Sequence, residues 1–126
     1  MLFRSTGAIT SSGGGIGYTT GAGGVVQQGT SKSTSVTLNT YSGNIQLFNT
    51  SVAANCGIAS FTLVNSKIAA GDYVLVQHDS NGTLGAYSCQ ATGAAGSATV
   101  YLTNMTQLAL AEAIWLKFTV IKGVLA

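Results

Sequence analysis

The chain has 126 residues, of which only Arg4, Lys32, Lys67, Lys117, Lys122, Asp72, Asp79 and Glu112 are charged. Charged residues make up 6% of the sequence, against about 25% in an ordinary soluble domain. A net charge of +2 from singly scattered cations excludes the basic patch of a nucleic-acid binder, and no apolar run is long enough for a membrane-spanning helix.

Residues 1–30 read as a Gly-rich N-terminal arm or loop, with nine of the 17 glycines lying before Lys32. Residues 31–126 read as one β-sandwich domain. Ser33–Leu38 alternates as a first strand, and Tyr41-Ser42-Gly43 reads as a turn. Asn44–Phe48 is a second strand. Gly57–Val64 is a third, with Phe61 and Leu63 inward. Asp72–His78 is a fourth, closed by the turn Asp79-Ser80-Asn81-Gly82, in which Asn-Gly readily takes positive φ. Ala86–Thr92 follows as a fifth, and Ser97–Thr103 as a sixth with Ala98, Val100 and Leu102 on one face. Asn104–Glu112 is either a short helix or a loop capping one end of the sandwich. Ala113–Ile121 is the best-patterned strand, with Ile114, Leu116, Phe118 and Val120 on one face. Seven strands spaced about ten residues apart predict a single all-β domain, an antiparallel sandwich.

An apolar content of 46% argues against disorder. The surface must then be mostly Ser, Thr, Gly, Asn and Gln, which predicts a protein covered by neighbours in an assembly. Within it, Leu2, Phe3 and Ile9 of the arm could fill pockets on a partner, while Tyr18 belongs to the Gly-rich motif. Trp115 faces away from Ile114, Leu116 and Phe118. It is either an interface anchor or a ring covered by the protein's own arm. Met1–Gly7 has no basic stretch leading into a long apolar run, so no signal peptide is expected. Cys56 and Cys89 are then expected to be reduced and buried.

The inventory for catalysis is thin. His78 is the only histidine, and its neighbour Asp79 would point to the opposite face of a strand. Asp72 and Asp79 lie roughly 20 Å apart along an extended strand, too far for a glycosidase pair. No G-x-S-x-G elbow supports a serine triad, and Gly15-Ile16-Gly17-Tyr18-Thr19-Thr20-Gly21 has the wrong spacing for a phosphate loop. We therefore expect no enzyme, no cofactor, no metal, no nucleic-acid partner and no membrane partner.

The stretch from Gly15 to Gln28, followed by Thr30-Ser31-Lys32-Ser33-Thr34 and Val36-Thr37-Leu38-Asn39, resembles a module found in tailed-bacteriophage virion proteins. Ser60-Phe61-Thr62-Leu63-Val64-Asn65-Ser66 and Phe118-Thr119-Val120-Ile121-Lys122-Gly123 are similar to its body and its ending. Asn55-Cys56-Gly57 departs from the pattern. The resemblance implies a structural virion role and a jelly-roll-like sandwich. Such modules occur as small head-decoration (cement) proteins and in tail fibres or spikes. A module standing almost alone after Met1 favours a decoration protein on the capsid exterior, made in the host cytoplasm. Its expected partners are the major capsid protein and further copies of itself, as a homodimer or homotrimer. The alternative is a fibre module that recognises host-surface glycan through exposed rings, drawn from Tyr41, Tyr73, Tyr87, Tyr101 and Trp115.

Overall fold

The computed structural model describes residues 11–124. They form eight strands and no helix: β1 (Val25–Gln27), β2 (Val36–Thr37), β3 (Ser42–Gln46), β4 (Gly57–Val64), β5 (Tyr73–Ser80), β6 (Tyr87–Ala94), β7 (Ser97–Asn104) and β8 (Trp115–Ile121). The first sheet has the order β1-β3-β8-β5 and the second β2-β4-β7-β6. Inward side chains of both sheets meet in one buried cluster, so the architecture is sandwich-like. Phe118, Ile45, Leu47, Leu63, Leu102, Ile114, Leu116, Val100 and Val120 are its largest fully buried members. The faces read from alternation on β4, β7 and β8 are the buried ones. Burial follows parity because successive side chains of a strand point to opposite faces.

Three expectations need correction, and one left open is decided. First, the sheets are not antiparallel throughout: β1 pairs with β3, and β2 with β4, in parallel. These short strands lie in the Gly-rich segment and just after it, and they run beside strands that follow them in the chain. Second, Ser42 and Gly43 belong to β3 rather than to a turn. Gly43 is needed there, since a Cβ would stand 2.7 Å from Leu38 Cδ2 and 2.9 Å from the Gly24 carbonyl. Third, Asn104–Glu112 holds no helix. Asn104 ends β7, and its buried amide donates to the carbonyls of Val52 (3.1 Å) and Leu108 (2.8 Å) and accepts from Thr106 N (2.9 Å). Side-chain bonds of this kind compete with helical ones. The segment becomes a loop tied by the bridge Val52–Leu110. Fourth, Cys56 is exposed, at φ 66 in a turn after Asn55, rather than buried. Cys89 is half-buried; desolvation pushes its thiol up to about 11, and neither cysteine is bonded.

Residues 25–28, read as arm, are part of the fold. Gln28 is buried: its Nε2 donates to the carbonyls of Lys32 (3.0 Å) and Thr34 (2.8 Å), and its Oε1 accepts from Phe48 N (3.1 Å). Beside it Lys32 is only 2% exposed. Its Nζ donates to the carbonyls of Phe48 (2.6 Å), Thr50 (2.6 Å) and Glu112 (2.7 Å), which uses all three ammonium donors. Desolvation lowers the pKa of Lys32, and the charge of Glu112 partly offsets it. One cation thus binds the chain after β3 to the chain before β8.

Replacing Lys32 by Met should strand three buried carbonyls and destabilise the fold by about 2–5 kcal/mol. Phe118→Ala should cost about 3–5 kcal/mol, as expected for a fully buried ring. Urea denaturation of each variant measures both. A loss below about 1 kcal/mol would mean that the site tolerates the change as a surface position does.

Candidate functional site: the outer face of the first sheet

The ladder registers place the outward side chains of β1, β3, β8 and β5 in rows across the first sheet. Tyr73 lies beside Ile121. Leu75, Thr119 and Ser42 form the next row. Gln77, Lys117, Asn44 and Val25 form a third, and Ser80, Trp115, Gln46 and Gln27 a fourth. A register shift between His78 and Ser80 marks a bulge at the end of β5. There Asp79 meets Lys117 at 2.7 Å, and this contact holds the Asp79 carboxyl below its usual range.

One end of this face is apolar. Tyr73 is 63% exposed, Leu75 54% and Ile121 49%. The Gly-rich segment adds Ile16 and Tyr18, which with Ser42, Thr119 and Ile121 line a groove of ≈ 460 Å³. The Tyr18 hydroxyl donates to the Val120 carbonyl, and its ring stacks on Tyr41 at 5.3 Å. Apolar rings left in the open on a small protein are candidate contact points, because covering them removes apolar area from water.

This end is held by Asp72, whose side chain is almost wholly buried. One carboxylate oxygen accepts from Ala69 N (2.8 Å) and from the Lys122 ammonium; the other accepts from Gly123 N (3.1 Å). The Lys122 bond, with help from the backbone amides, lowers the Asp72 pKa to about 2. The bracket joins the start of β5 to the chain just after β8, where Tyr73 and Ile121 sit.

The expected interface residues fall apart in space. Leu2, Phe3 and Ile9 lie outside the described residues. Tyr18 is folded onto its own sheet rather than extended toward a neighbour, because its hydroxyl and ring both find partners there. Trp115 is half-buried and belongs to the polar fourth row, six residues and roughly 20 Å along β8 from Ile121. Leu75 and Ile121 were not singled out from the sequence as contact residues, and Tyr73 only as one of the rings of the glycan-binding alternative. Their signal was the run Tyr73-Val74-Leu75-Val76, apolar at both parities, of which one must face outward.

The groups considered for catalysis are separately engaged. His78 Nε2 lies 2.7 Å from the Asn81 carbonyl, and its ring stands edge-on to Tyr87. Glu112 accepts from Tyr87 Oη (2.7 Å), Thr83 Oγ1 (2.8 Å) and Thr83 N (3.1 Å), which lowers its pKa. Burial, followed by the bond to Glu112, raises the phenol of Tyr87. No two of the three described carboxylates share a hydrogen-bond partner. Neither a family model, nor a curated protein, nor a solved structure matches the chain.

Because the folded pKa of Asp72 lies below its usual 3.8, the stabilisation by this bracket is complete above pH 3.8 and disappears as pH falls toward about 2. Acid titration followed by Tyr and Trp emission should therefore show a loosening in that window. Asp72→Asn should weaken the protein at pH 7 and flatten the acid transition. An unchanged acid transition in the variant would remove Asp72 from this role.

Proposed function

We propose that this protein is a non-catalytic structural component of a virion, a decoration protein on the capsid exterior that stabilises the head by bridging major-capsid subunits. The observation that carries the reading is the apolar end of the first sheet's outer face: Tyr73, Leu75 and Ile121 beside Ile16 and Tyr18. Covering these side chains against a neighbour supplies the driving force, and repetition over a lattice multiplies a modest contact. The low charge supports the same reading, since a surface of hydroxyls, amides and exposed rings suits a protein that spends its life covered. The proposed location rests on the resemblance of residues 15–123 to tailed-phage virion modules.

The topology supports a jelly-roll-like description. Between β3 and β6 the chain passes from sheet to sheet at every connection. It then turns back through the β6–β7 hairpin and returns to the first sheet as β8. That path supports reading the fold as a jelly roll short of one hairpin. The homo-oligomer belongs to the same proposal, as does the Gly-rich arm, now limited to the residues before the Tyr18 anchor.

Copy number tests the location. Quantitative mass spectrometry of purified particles should find the protein in a fixed, high ratio to the major capsid protein; a few copies per tail would transfer it to a fibre. The double variant Leu75→Asp, Ile121→Asp should fold, by circular dichroism, yet be absent from particles. Incorporation of that variant at full occupancy would mean that another surface makes the contact.

A further inference from the structure

We propose that β6, an open edge of the second sheet, pairs with β6 of a second copy of this chain, antiparallel and about a two-fold axis at Gln90. The proposal rests on the self-association put forward above, to which it gives a surface and a register. It does not rest on the virion location or on the apolar end of the first sheet.

Each sheet ends in two edge strands: β1 and β5 in the first, β2 and β6 in the second. Unpaired edges invite pairing with other chains, and native proteins blunt them by shortness, bulges or charge. Three of these edges are blunted. β1 and β2 have three and two residues. β5 carries the bulge between His78 and Ser80 and the Asp79–Lys117 pair at 2.7 Å, and its His78 N–H donates to the Cys89 sulfur. β6 has none of these protections. It is eight residues long, with no charged residue and no proline. Its register with β7 runs unbroken from Tyr87 opposite Asn104 to Ala94 opposite Ser97, and none of its residues has positive φ.

The ladder decides which backbone groups of β6 are free. Met105 N donates to the Ala86 carbonyl at 2.8 Å, one step beyond the pair Tyr87–Asn104. On the other side of β7, Asn65 N donates to the Gly96 carbonyl at 2.9 Å. Bonded pairs alternate along an antiparallel ladder, so odd residues of β7 bond to β6 and even ones to β4. Ser88, Gln90 and Thr92 therefore turn N–H and C=O toward β7. Tyr87, Cys89, Ala91 and Gly93 turn theirs to the open edge, where they meet no described backbone partner.

One register satisfies all of these edge groups. With Gln90 on the two-fold, Tyr87 stands opposite Gly93 of the second copy and Cys89 opposite its Ala91, and each pair exchanges two bonds. An axis at Ala91 would set Tyr87 against the turn after Ala94, and an axis at Cys89 would set Gly93 against the loop before Tyr87. An axis between two residues would set edge-facing residues against residues already bonded to β7. In the chosen register Ser88 lies beside Thr92 of the second copy, twice, and Gln90 beside itself; all three are exposed. Hydroxyl and amide pairs of this kind favour a sheet, and no like charges are opposed. The contact is isologous and closes after two copies, so it joins two four-stranded sheets into one and leads to no fibre. A single strand edge is smaller than a standard interface, so the dimer should dissociate on dilution.

Sedimentation equilibrium of the full-length protein, from micromolar to millimolar concentration, should show a monomer–dimer equilibrium. Gln90→Lys and Gln90→Glu each oppose like charges on the axis, and each alone should weaken the dimer about fivefold. Mixed in equal amounts they should recover it as a heterodimer. Their circular dichroism should match the parent's, since residue 90 is exposed. Thr62→Lys, on the same face but away from the axis, and the double variant Leu75→Asp, Ile121→Asp should dimerise as the parent does. The double variant separates this edge from the apolar contact surface. A parent that stays monomeric throughout, a trimer, a dimer indifferent to both Gln90 variants, or a mixture of the two that does not recover would each overturn the proposal.

Discussion

The ammonium of Lys32 sits inside the protein with no carboxylate against it, held by three backbone carbonyls at 2.6–2.7 Å. A buried cation is tolerated only where every donor is satisfied, and here the acceptors are the carbonyls of Phe48, Thr50 and Glu112. Those residues flank β3 and β8, the two central strands of the first sheet. Gln28 extends the knot to β1 through Phe48 N, while Thr50 Oγ1 accepts from Lys32 N at 2.8 Å. The alignment of β1, β3 and β8, and hence of everything displayed on their outer face, depends on this one group.

A second polar bracket holds the other end of the same sheet. Asp72 gathers Ala69 N, Gly123 N and the Lys122 ammonium, and so fixes the start of β5 against the end of β8. The two brackets divide the face. Near Asp72 it is apolar, with Tyr73, Leu75 and Ile121 standing out beside the anchored Tyr18. Near Lys32 it is an amide surface around Trp115. The face thus has an apolar end and an uncharged hydrogen-bonding end about 20 Å apart.

The scarcity of charge has a consistent physical reading. Among the described residues Lys32 is consumed inside the fold, Lys117 pairs with Asp79, Lys122 pairs with Asp72, and Glu112 serves Thr83 and Tyr87. Lys67 lies over the Tyr41 ring at 5.7 Å. The outer face of the second sheet carries none: its rows run Ile58, Thr103, Ser88, then Ser60, Tyr101, Gln90, then Thr62, Thr99, Thr92. Among the described residues, every charge but that of Lys67 orients backbone or is paired. What remains exposed is a surface of hydroxyls, amides and a few rings.

Alternation along the chain determined the all-β class, the extent of β4 to the residue, and the buried faces of β7 and β8. Those strands are long, and parity alone decides which side chains enter a two-sheet core. The short edge strands were not legible. β1 and β2 have three and two residues and exist because β3 and β4 offer free edges, a condition that no local pattern records. The helical spacing at Asn104–Glu112 lost to the bonds of one buried amide. Lys32 looked like any scattered cation, and Trp115 like a contact ring. Burial of the first and the amide row around the second arise only when residues 27, 46, 80 and 115 come side by side. Cross-strand neighbourhood is a property of register, and register is decided by the packed core as a whole.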